Sequence, residues 1–304
     1  MSLGRMIVGI CAYNEEGNIG NLLQNLISEQ NLPEDCVIFV VCSGCTDNTP
    51  RIVMDFSERD ARIKLVTEKV RRGKASALNK VFKLAKMSAE VLVLVNADTL
   101  PEPGSITSLT HKLESENDVG AVFAQPVPMK LSKGVCYKIV YVIWKLHHLI
   151  SMYQEPKLSG ELCVIRVSSL HEIPENVATD EPYIEFFIRR QGYRILYAPK
   201  ALVYIRCPTN IFDLLKQRKR IWIGHLQFKN VTQFQVSTSS FKNILKVIPK
   251  LKTSEFLYLF LGGFIEMVAY IQAIKAFKEK TIPYMWDPIE STKTQLKLNY
   301  FRRL

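Results

Sequence analysis

The sequence predicts an α/β fold built on a mostly parallel sheet flanked by helices, in a Rossmann-like arrangement. Its first hundred residues contain unbroken apolar runs, such as Val37–Val41 and Val91–Val95. Such runs are typical of strands that are buried on both faces. Segments with apolar residues at helical spacing separate these runs, and strands that alternate with helices form parallel sheets through crossover connections.

The predicted elements of this first part alternate strictly between strand and helix. Asn14 is expected to cap the first helix, because Asn favours that position and acidic residues follow it in the first turn. The second and third helices are expected to include Ile52–Phe56 and Lys74–Lys86. The predicted strands are Met6–Cys11, Val37–Val41, Arg62–Val66 and Val91–Val95.

The second hundred residues are less regular. We expect an apolar helix over Tyr137–Tyr153 and an amphipathic helix over Tyr183–Gln191 that ends at Gly192. Strands are expected at Val119–Phe123, Glu161–Ile165, Arg194–Tyr197 and Ala201–Tyr204.

Composition limits the classes of function. The chain has 40 basic and 29 acidic residues, and this net charge of +11 favours a nucleic acid, an anionic membrane surface or a phosphorylated substrate as partner. The apolar run Met6–Ile10 is too short for a secretory signal, and seven scattered cysteines fit a reducing compartment. No Gly-x-Gly-x-x-Gly motif follows the first strand, which argues against a dinucleotide site.

Two pairs of possible metal ligands have a simpler interpretation. Cys42 and Cys45 have the spacing of a redox or zinc motif, but no second pair follows, so two small residues in a turn are favoured. His147 and His148 are neighbours on a predicted helix and therefore point about 100° apart. They are expected at a helix surface or a substrate wall and not on one ion.

Asp98 ends the most informative stretch of the chain, the strand Val91–Val95 with its turn. Ligands in open α/β sheets bind beyond the carboxyl ends of such strands. A divalent cation that holds a diphosphate needs oxygen ligands of this kind. A turn or helix-cap residue is the alternative for a lone carboxylate at this position.

Six sequence blocks in consistent order carry a resemblance to a known family. They are Ile10–Glu16, Ser43–Thr49, Arg72–Asn79, Asn96–Asp98, Thr179–Glu181 and Gln217–Ile221. In this order the chain resembles glycosyltransferase family 2, whose nucleotide-sugar-binding fold is called GT-A.

The resemblance implies a nucleotide-sugar site with a divalent metal, Mn²⁺ or Mg²⁺. Asn96 stands in place of the first Asp of the family's metal motif, which leaves Asp98 as the metal ligand. The residues implied in nucleotide binding are Ala12, Tyr13, Asn14, Glu15, Ser43, Asp47, Lys74, Asn96 and Ala97.

The resemblance also implies a catalytic base at Asp180 or Glu181. Counting back eleven residues from Gly192 places Glu181 at the family's base, although adjacent acids at a helix start are most often caps. The residues implied on the acceptor or diphosphate side are Ser159, Gly160, Gln217, Arg218, Arg220 and Trp222. Without the resemblance, Gln217–Arg220 would be read as a solvated basic helix face.

The resemblance therefore implies an inverting transfer of one sugar from GDP-mannose or a UDP-sugar to a lipid-linked or membrane-borne acceptor. Ile221 replaces the family's Trp in the last block, which favours single transfer over a processive polysaccharide synthase. A nucleotidyltransferase that makes nucleotide sugars is the other alternative. Nucleic acid is not an expected partner, because it would not explain the ordered acidic positions.

The C-terminal part contains an apolar run, Phe256–Ile274, that is interrupted by Glu266. An acid at the centre of a membrane span costs about 2.5–3.5 kcal/mol, so we expect a peripheral or interfacial region and not a true span. Lysines on both flanks favour an anionic surface, at the cytoplasmic face. We therefore expect a catalytic domain at 1–230, with nucleotide-sugar binding in 1–100 and the acceptor side in 101–230, and a helical membrane-associated region at 231–304.

Overall fold

The computed structural model describes residues 5–131, 134–279, 281 and 284–293. The strands are β1 (Met6–Ala12), β2 (Val37–Ser43), β3 (Ile63–Glu68), β4 (Val91–Val95), β5 (Thr99–Pro101), β6 (Val119–Pro128), β7 (Leu162–Arg166) and β8 (Arg194–Ile205). The α-helices are α1 (Ile19–Glu29), α2 (Thr49–Arg59), α3 (Lys74–Ser88), α4 (Ser105–Glu114), α5 (Val135–Tyr153), α6 (Glu181–Arg190), α7 (Ile211–Thr232), α8 (Phe241–Val247) and α9 (Phe256–Lys278).

The strands form one sheet in the order β3-β2-β1-β4-β7-β6-β8-β5. β3, β2, β1 and β4 run parallel to one another, which confirms the parallel arrangement predicted for the first hundred residues. Beyond β4 the sheet is mixed, because β7 is antiparallel to both of its neighbours and β5 is antiparallel to β8. The fold class is therefore the predicted α/β class of GT-A type, with helices on both faces of the sheet.

The hydrophobic core lies on both faces of this sheet. Met6, Val8 and Ile10 of β1 share one buried apolar cluster with α1, α4 and α5. Ile7 belongs to a second cluster with α3 and α6. Successive side chains of a strand point to opposite faces, so a strand covered on both sides must be apolar throughout. This is the reason why the parallel strands could be recognised as continuous apolar runs.

The prediction that Asn14 caps the first helix was wrong. Helix α1 begins at Ile19, with Asn18 in the N-cap position. Asn14 instead adopts a φ of 51° in the turn after β1. Asn tolerates this left-handed conformation better than most residues, because its short polar side chain can form local hydrogen bonds.

Two boundaries in the second part of the chain also differ from the prediction. Helix α6 begins at Glu181, two residues earlier than expected, so one of the two candidate bases is itself the first helical residue. The two short strands predicted at 194–204 are the single strand β8. The register of β8 with β6 shifts after Ala198. This irregularity lies between the two segments that were predicted as separate strands.

Helix α9 packs on α7 and α5. The part of the chain described here contains one helix, Thr253–Lys278, that is long and apolar enough to cross a membrane. Glu266, the acid within α9, forms an ion pair of 2.5 Å with Arg218 of α7. The large apolar side chains that α9 exposes are Phe256, Leu257, Phe260, Phe264, Met267, Tyr270 and Ile271. Lys280 and the residues after 293, which belong to the predicted membrane-associated region, lie outside the described residues.

Candidate active site

A cavity of about 730 Å³ lies at the carboxyl edge of the parallel strands. The ends of β1, β2 and β4 form one side of it, and α5, α7 and α9 contribute the other. This is the position at which open α/β sheets bind ligands. Of the residues predicted for the site, all except Asn14 and Asp47 line this cavity.

Asn14 and Asp47 connect two loops instead of facing the cavity. The Asn14 side-chain amide donates to the Thr46 hydroxyl at 3.0 Å. The Glu16 backbone N–H donates to the Asp47 carboxylate at 3.1 Å. These contacts fix the turn after β1 against the turn after β2. The assignment of both residues to nucleotide binding stays a prediction.

One wall of the cavity carries a stacked cation. The guanidinium of Arg71 lies 3.8 Å from the centroid of the Tyr13 ring, a cation–π contact. Arg71 also donates to the backbone carbonyl of Trp286. Arg71 and Trp286 were missed by the sequence analysis. Arg71 could have been noticed because it directly precedes the Arg72–Asn79 block.

A group of acids surrounds Asp98. Burial and the nearby Asp98 raise the pKa of Glu15 to about 7, although Lys293 and Asn18 oppose this shift. Burial and Asp98 likewise raise the pKa of Glu161 to about 7. The Asn96 side-chain amide donates to the Glu161 carboxylate at 2.8 Å. This corner of the cavity is therefore rich in carboxylate oxygen, the donor type that Mg²⁺ and Mn²⁺ take.

Protein side chains alone do not complete a metal shell here. The described residues contain no group of three or more His, Cys, Asp or Glu side chains that could hold a metal ion. A Mg²⁺-like cation is commonly bound by one or two carboxylates, with phosphate oxygens and water as the remaining ligands. The donor set around Asp98 fits a cation that is shared with a bound diphosphate.

Lys74 contacts both candidate bases. Its Nζ lies 3.1 Å from an Asp180 carboxylate oxygen and 4.0 Å from a Glu181 oxygen. Lys74 is the first residue of α3, while Asp180 and Glu181 are the N-cap and the first residue of α6. Two helix starts thus meet at one ammonium group, and the α6 terminus favours the negative charge of both acids.

The two acids differ in pKa and exposure. Burial and the charge of Glu181 raise the pKa of Asp180. Burial also acts to raise the pKa of Glu181, but Lys74 and Lys157 outweigh it, and the net pKa is lowered. The side chain of Glu181 is 21% exposed, whereas that of Asp180 is 7% exposed. Glu181 is therefore ionised at neutral pH and is the acid with more access to the cavity.

Two glycines let neighbouring backbone approach these acids. A Cβ on Gly160 would lie 2.9 Å from Cγ of Glu181. A Cβ on Gly224 would lie 2.2 Å from the hydroxyl of Thr179. Gln227 of α7 also accepts a hydrogen bond of 3.0 Å from the Ala178 N–H. The turn that carries the acids is therefore held between the loop before β7 and α7.

The basic residues of α7 have different partners. Arg218 is paired with Glu266 of α9, and the Trp222 indole donates to the same carboxylate at 2.7 Å. Arg220 instead lies close enough to Lys74, Asp180 and Glu181 to influence the pKa of each. Of the two arginines, Arg220 therefore remains the better candidate for contact with a diphosphate.

Residues 284–293 complete the cavity from the other end of the chain. Lys293 forms an ion pair with Glu15 and donates to the Tyr13 carbonyl at 3.3 Å. Asn18 donates to the Thr292 carbonyl at 3.2 Å. The sequence analysis missed this segment, since no local pattern connects it to the first strand.

A cavity at the carboxyl edge of the sheet, with two acids beside a lysine and Asp98 in the loop after β4, fits an enzyme that acts on a nucleotide-diphosphate substrate. Residues 7–173 match the model of the family described as Glycosyl transferase family 2. The chain belongs to this family. The match confirms the predicted membership of a glycosyltransferase family.

Curated relatives share part of their sequence with the chain. The chain is 26% identical over 221 residues to a poly-beta-1,6-N-acetyl-D-glucosamine synthase of Staphylococcus epidermidis, which covers 69% of this chain and 52% of the relative. It is 23% identical over 222 residues to the synthase of Staphylococcus aureus. The chain thus spans about half the length of these curated relatives.

Two solved structures share the fold. A mannosyltransferase from Pyrobaculum calidifontis in complex with GDP-Man and Mn²⁺ superposes with a TM-score of 0.63 at 22% identity, over 96% of this chain and 84% of that one. A fragment of S. aureus TarS in complex with UDP-GlcNAc gives a TM-score of 0.51 at 14% identity, over 91% of this chain and 92% of that one.

Proposed function

We propose that this chain transfers one sugar from a nucleotide-diphosphate sugar to a membrane-borne or lipid-linked acceptor, with inversion at the anomeric carbon. The observation that carries the proposal is the contact of Lys74 with both Asp180 and Glu181 in the cavity that Asp98 also lines. This arrangement supports the proposal, because a candidate base and candidate carboxylate ligands for a cation border one volume. GDP-mannose or a UDP-sugar is the proposed donor, in line with the ligands named for the two solved structures.

The donor is proposed to lie along the ends of β1, β2 and β4. The nucleoside would contact Ala12 and Tyr13, whose ring already stacks with Arg71. Ser43, Asn96 and Ala97 line the cavity beside it. Lys74 and Arg220 carry the positive charge that the diphosphate needs, and Arg can contact phosphate in a bidentate manner.

Asp98 is the proposed ligand of a divalent cation, Mn²⁺ or Mg²⁺. When bound, such a cation neutralises the charge of a diphosphate leaving group and orients it. Glu15 and Glu161 lie near Asp98, and burial together with the charge of Asp98 raises the pKa of each, so a positive ion in this corner would relieve the repulsion among these acids.

Glu181 is the proposed base. Its carboxylate is ionised, partly exposed to the cavity and held by the close approach of Gly160. It would accept the proton of the acceptor hydroxyl while that oxygen attacks the anomeric carbon from the side opposite the diphosphate. Asp180, which is less exposed and paired with Lys74, would position this lysine.

The C-terminal region is proposed to hold the enzyme at the cytoplasmic face of an anionic membrane. One face of α9 packs on α7 and α5, and the other exposes large apolar side chains. Lys242, Lys246, Lys250 and Lys252 precede this helix. An in-plane helix with apolar residues outward and lysines at its flank suits an anionic surface. The division at residue 230 remains part of the proposal.

A processive polysaccharide synthase is the second candidate. The curated relatives are named as such synthases, and Trp222 lines the cavity directly after Ile221. The nucleotidyltransferase alternative loses its support, because the chain belongs to glycosyl transferase family 2.

Release of nucleoside diphosphate tests the proposed function. The full chain in vesicles that contain anionic lipid is incubated with Mn²⁺ and a panel of GDP- and UDP-sugars. We expect release from one donor, and we expect Glu181→Gln to abolish it. Glu58→Gln, a change of an exposed acid on α2, is the matched control. Equal release by the Glu181 variant and wild type, or no release from any donor, would contradict the proposal.

A further inference from the structure

Cys42 and Cys45, the pair with the spacing of a redox motif, lie together at the carboxyl end of β2. Cys42 is 1% exposed and belongs to the apolar cluster on the α1 face of the sheet, and the side chain of Cys45 packs against the same cluster. Cys42 pairs with Ala12 of β1, and the Cys45 thiol donates to the Ala12 carbonyl with its sulfur 3.6 Å from that oxygen. Between the two cysteines, Gly44 turns the chain with a φ of 62°. The fold therefore places both thiols beside the end of β1.

The two thiols differ in reactivity. A hydrogen bond from the Cys42 thiol lowers the pKa of Cys45, and the Asn14 backbone N–H adds to this effect, although burial opposes it. The same hydrogen bond, together with burial, raises the pKa of Cys42. Cys45 is also the more exposed of the two. Because the thiolate is the form that attacks a disulfide, Cys45 is suited to react first and Cys42 to act as its buried partner.

The segment between the two cysteines belongs to the donor side of the cavity. Ser43 lines the cavity, and its hydroxyl accepts a hydrogen bond of 3.4 Å from the Arg72 backbone N–H. A Cβ on Gly44 would lie 2.4 Å from the backbone nitrogen of Arg71. Arg71 is the residue whose guanidinium stacks on Tyr13. A change in the turn around Gly44 therefore acts on the backbone of Arg71, and through it on the wall proposed to hold the nucleoside.

We propose that Cys42 and Cys45 are a reversible disulfide site, which reacts with small-molecule disulfides such as glutathione disulfide and, resting on the proposed function, weakens donor binding when it is oxidised. A bridge between the two sulfurs closes a ring that contains only Ser43 and Gly44 between its cysteines. The bridge removes the proton that Cys45 donates to Ala12, and it constrains the turn that lies against the donor wall. Transient disulfides with a sensing role are the kind that occur in reducing compartments.

The exchange takes two steps. The Cys45 thiolate attacks one sulfur of glutathione disulfide, a mixed disulfide forms, and the other half of the reagent leaves as a thiolate. Cys42 then gives its proton to solvent and attacks the Cys45 sulfur, and the second glutathione leaves as a thiolate. The two leaving thiolates take up protons from solvent. Two protein thiols are thus oxidised to one disulfide, and one glutathione disulfide is reduced to two thiols.

Peptide mapping tests the bridge. The full chain is incubated with glutathione disulfide in excess over glutathione, the remaining thiols are alkylated, and the protein is cleaved before aspartate. Cleavage before Asp35 and Asp47 releases residues 35–46, a fragment with three cysteines. Cys36→Ala, which removes a buried thiol from the other end of β2, leaves only the proposed pair in this fragment. We expect that fragment to be lighter by two hydrogen atoms and to carry no alkyl group.

Calorimetry with GDP or UDP and Mn²⁺ tests the effect on the donor. We expect the oxidised chain to bind its preferred nucleotide about fivefold more weakly than the reduced chain, the size of one lost neutral hydrogen bond. Reduction with a phosphine should restore the affinity. Cys45→Ser and Cys42→Ala should bind like the reduced wild type before and after the treatment. Cys36→Ala is the matched control and should respond to the treatment as wild type does.

Different results overturn different statements. A fragment that is alkylated at both cysteines, or that carries glutathione without an internal bridge, would overturn the disulfide site. Equal affinities of the oxidised and reduced chains, or the same loss in Cys45→Ser, would overturn its effect on the donor. If the reduced chain bound neither nucleotide, the proposed function would be contradicted, and the mapping would still decide the bridge.

Discussion

Lys74 Nζ lies 3.1 Å from the carboxylate of Asp180, and this contact joins the first turn of α3 to the start of α6. Glu181 lies 4.0 Å from the same ammonium group. One partly buried lysine therefore compensates two neighbouring acids. The ammonium group of Lys74 holds the start of α3 against the start of α6. It also keeps both carboxylates at the edge of the cavity.

Replacement of Lys74 should destabilise the fold in a pH-dependent way. Lys74→Gln leaves Asp180 and Glu181 facing each other, and we expect a loss of about 1–3 kcal/mol at pH 8, less than the cost of breaking a fully buried pair because Lys74 is 30% exposed. Without the lysine, the pKa values of both acids rise above their unfolded values. The folded variant then binds more protons, so the loss should shrink as the pH falls to about 5.

Urea unfolding at several pH values measures this effect. Lys83→Gln removes an exposed lysine from the same helix α3 and serves as the control. An equal loss of stability at pH 5 and pH 8 would mean that the acids do not depend on Lys74.

The two acids should differ in catalysis. Glu181→Gln should reduce turnover by at least about a hundredfold, the low end for loss of a general base, with little change in donor affinity. Asp180→Asn should reduce turnover less, or act through donor affinity, because this side chain is less exposed and contacts Lys74 more closely. Single-turnover rates at saturating donor decide between them. If Asp180→Asn abolished turnover and Glu181→Gln left it nearly normal, Asp180 would be the base and Glu181 would not.

Asp98→Asn should abolish the Mn²⁺-dependent part of nucleotide diphosphate binding. The amide removes the charged ligand proposed for the cation while it keeps the shape of the side chain. Calorimetry with and without Mn²⁺ measures the loss, thermal unfolding checks the fold, and Glu58→Gln is again the control. Unchanged Mn²⁺-dependent affinity in the variant would remove Asp98 from the proposed metal site.

The exposed face of α9 should carry membrane binding. Phe260→Ser with Phe264→Ser should weaken sedimentation with anionic liposomes, since both side chains are more than half exposed. Val70→Ser with Met87→Ser, two exposed apolar residues outside α9, is the matched control. High salt should also weaken the binding of wild type.

Removal of residues 242–304 is expected to cause a larger loss, but α9 also packs on α7, so the paired serine variant is the cleaner test. If the α9 variant and the control variant bound liposomes equally, the membrane contact would lie outside the exposed face of α9. Association that persists after carbonate extraction would favour a membrane span.

The parts of the fold that depend on local pattern could be predicted from the sequence. β4 is apolar at every position because both faces are covered, and Asp98 lies three residues after its last residue, Val95. The mixed half of the sheet could not be predicted in this way, since the direction of β7 depends on pairing with strands distant in sequence. The ion pairs of Lys293 with Glu15 and of Arg218 with Glu266 could not be predicted either, because the partners are distant in sequence. Glu266 in an apolar run argued against a span, but its partner on α7 could be found only from the packing.

The configuration of the first-formed product tests the central claim, direct displacement assisted by the acids of α6, most directly. The full chain is supplied with Mn²⁺, an α-linked nucleotide sugar that it consumes and a glycoside acceptor, and the new linkage is examined by proton NMR before further reaction. The account predicts a β-linked product whose formation is lost in Glu181→Gln. An α-linked product would contradict direct displacement and with it the role assigned to Glu181.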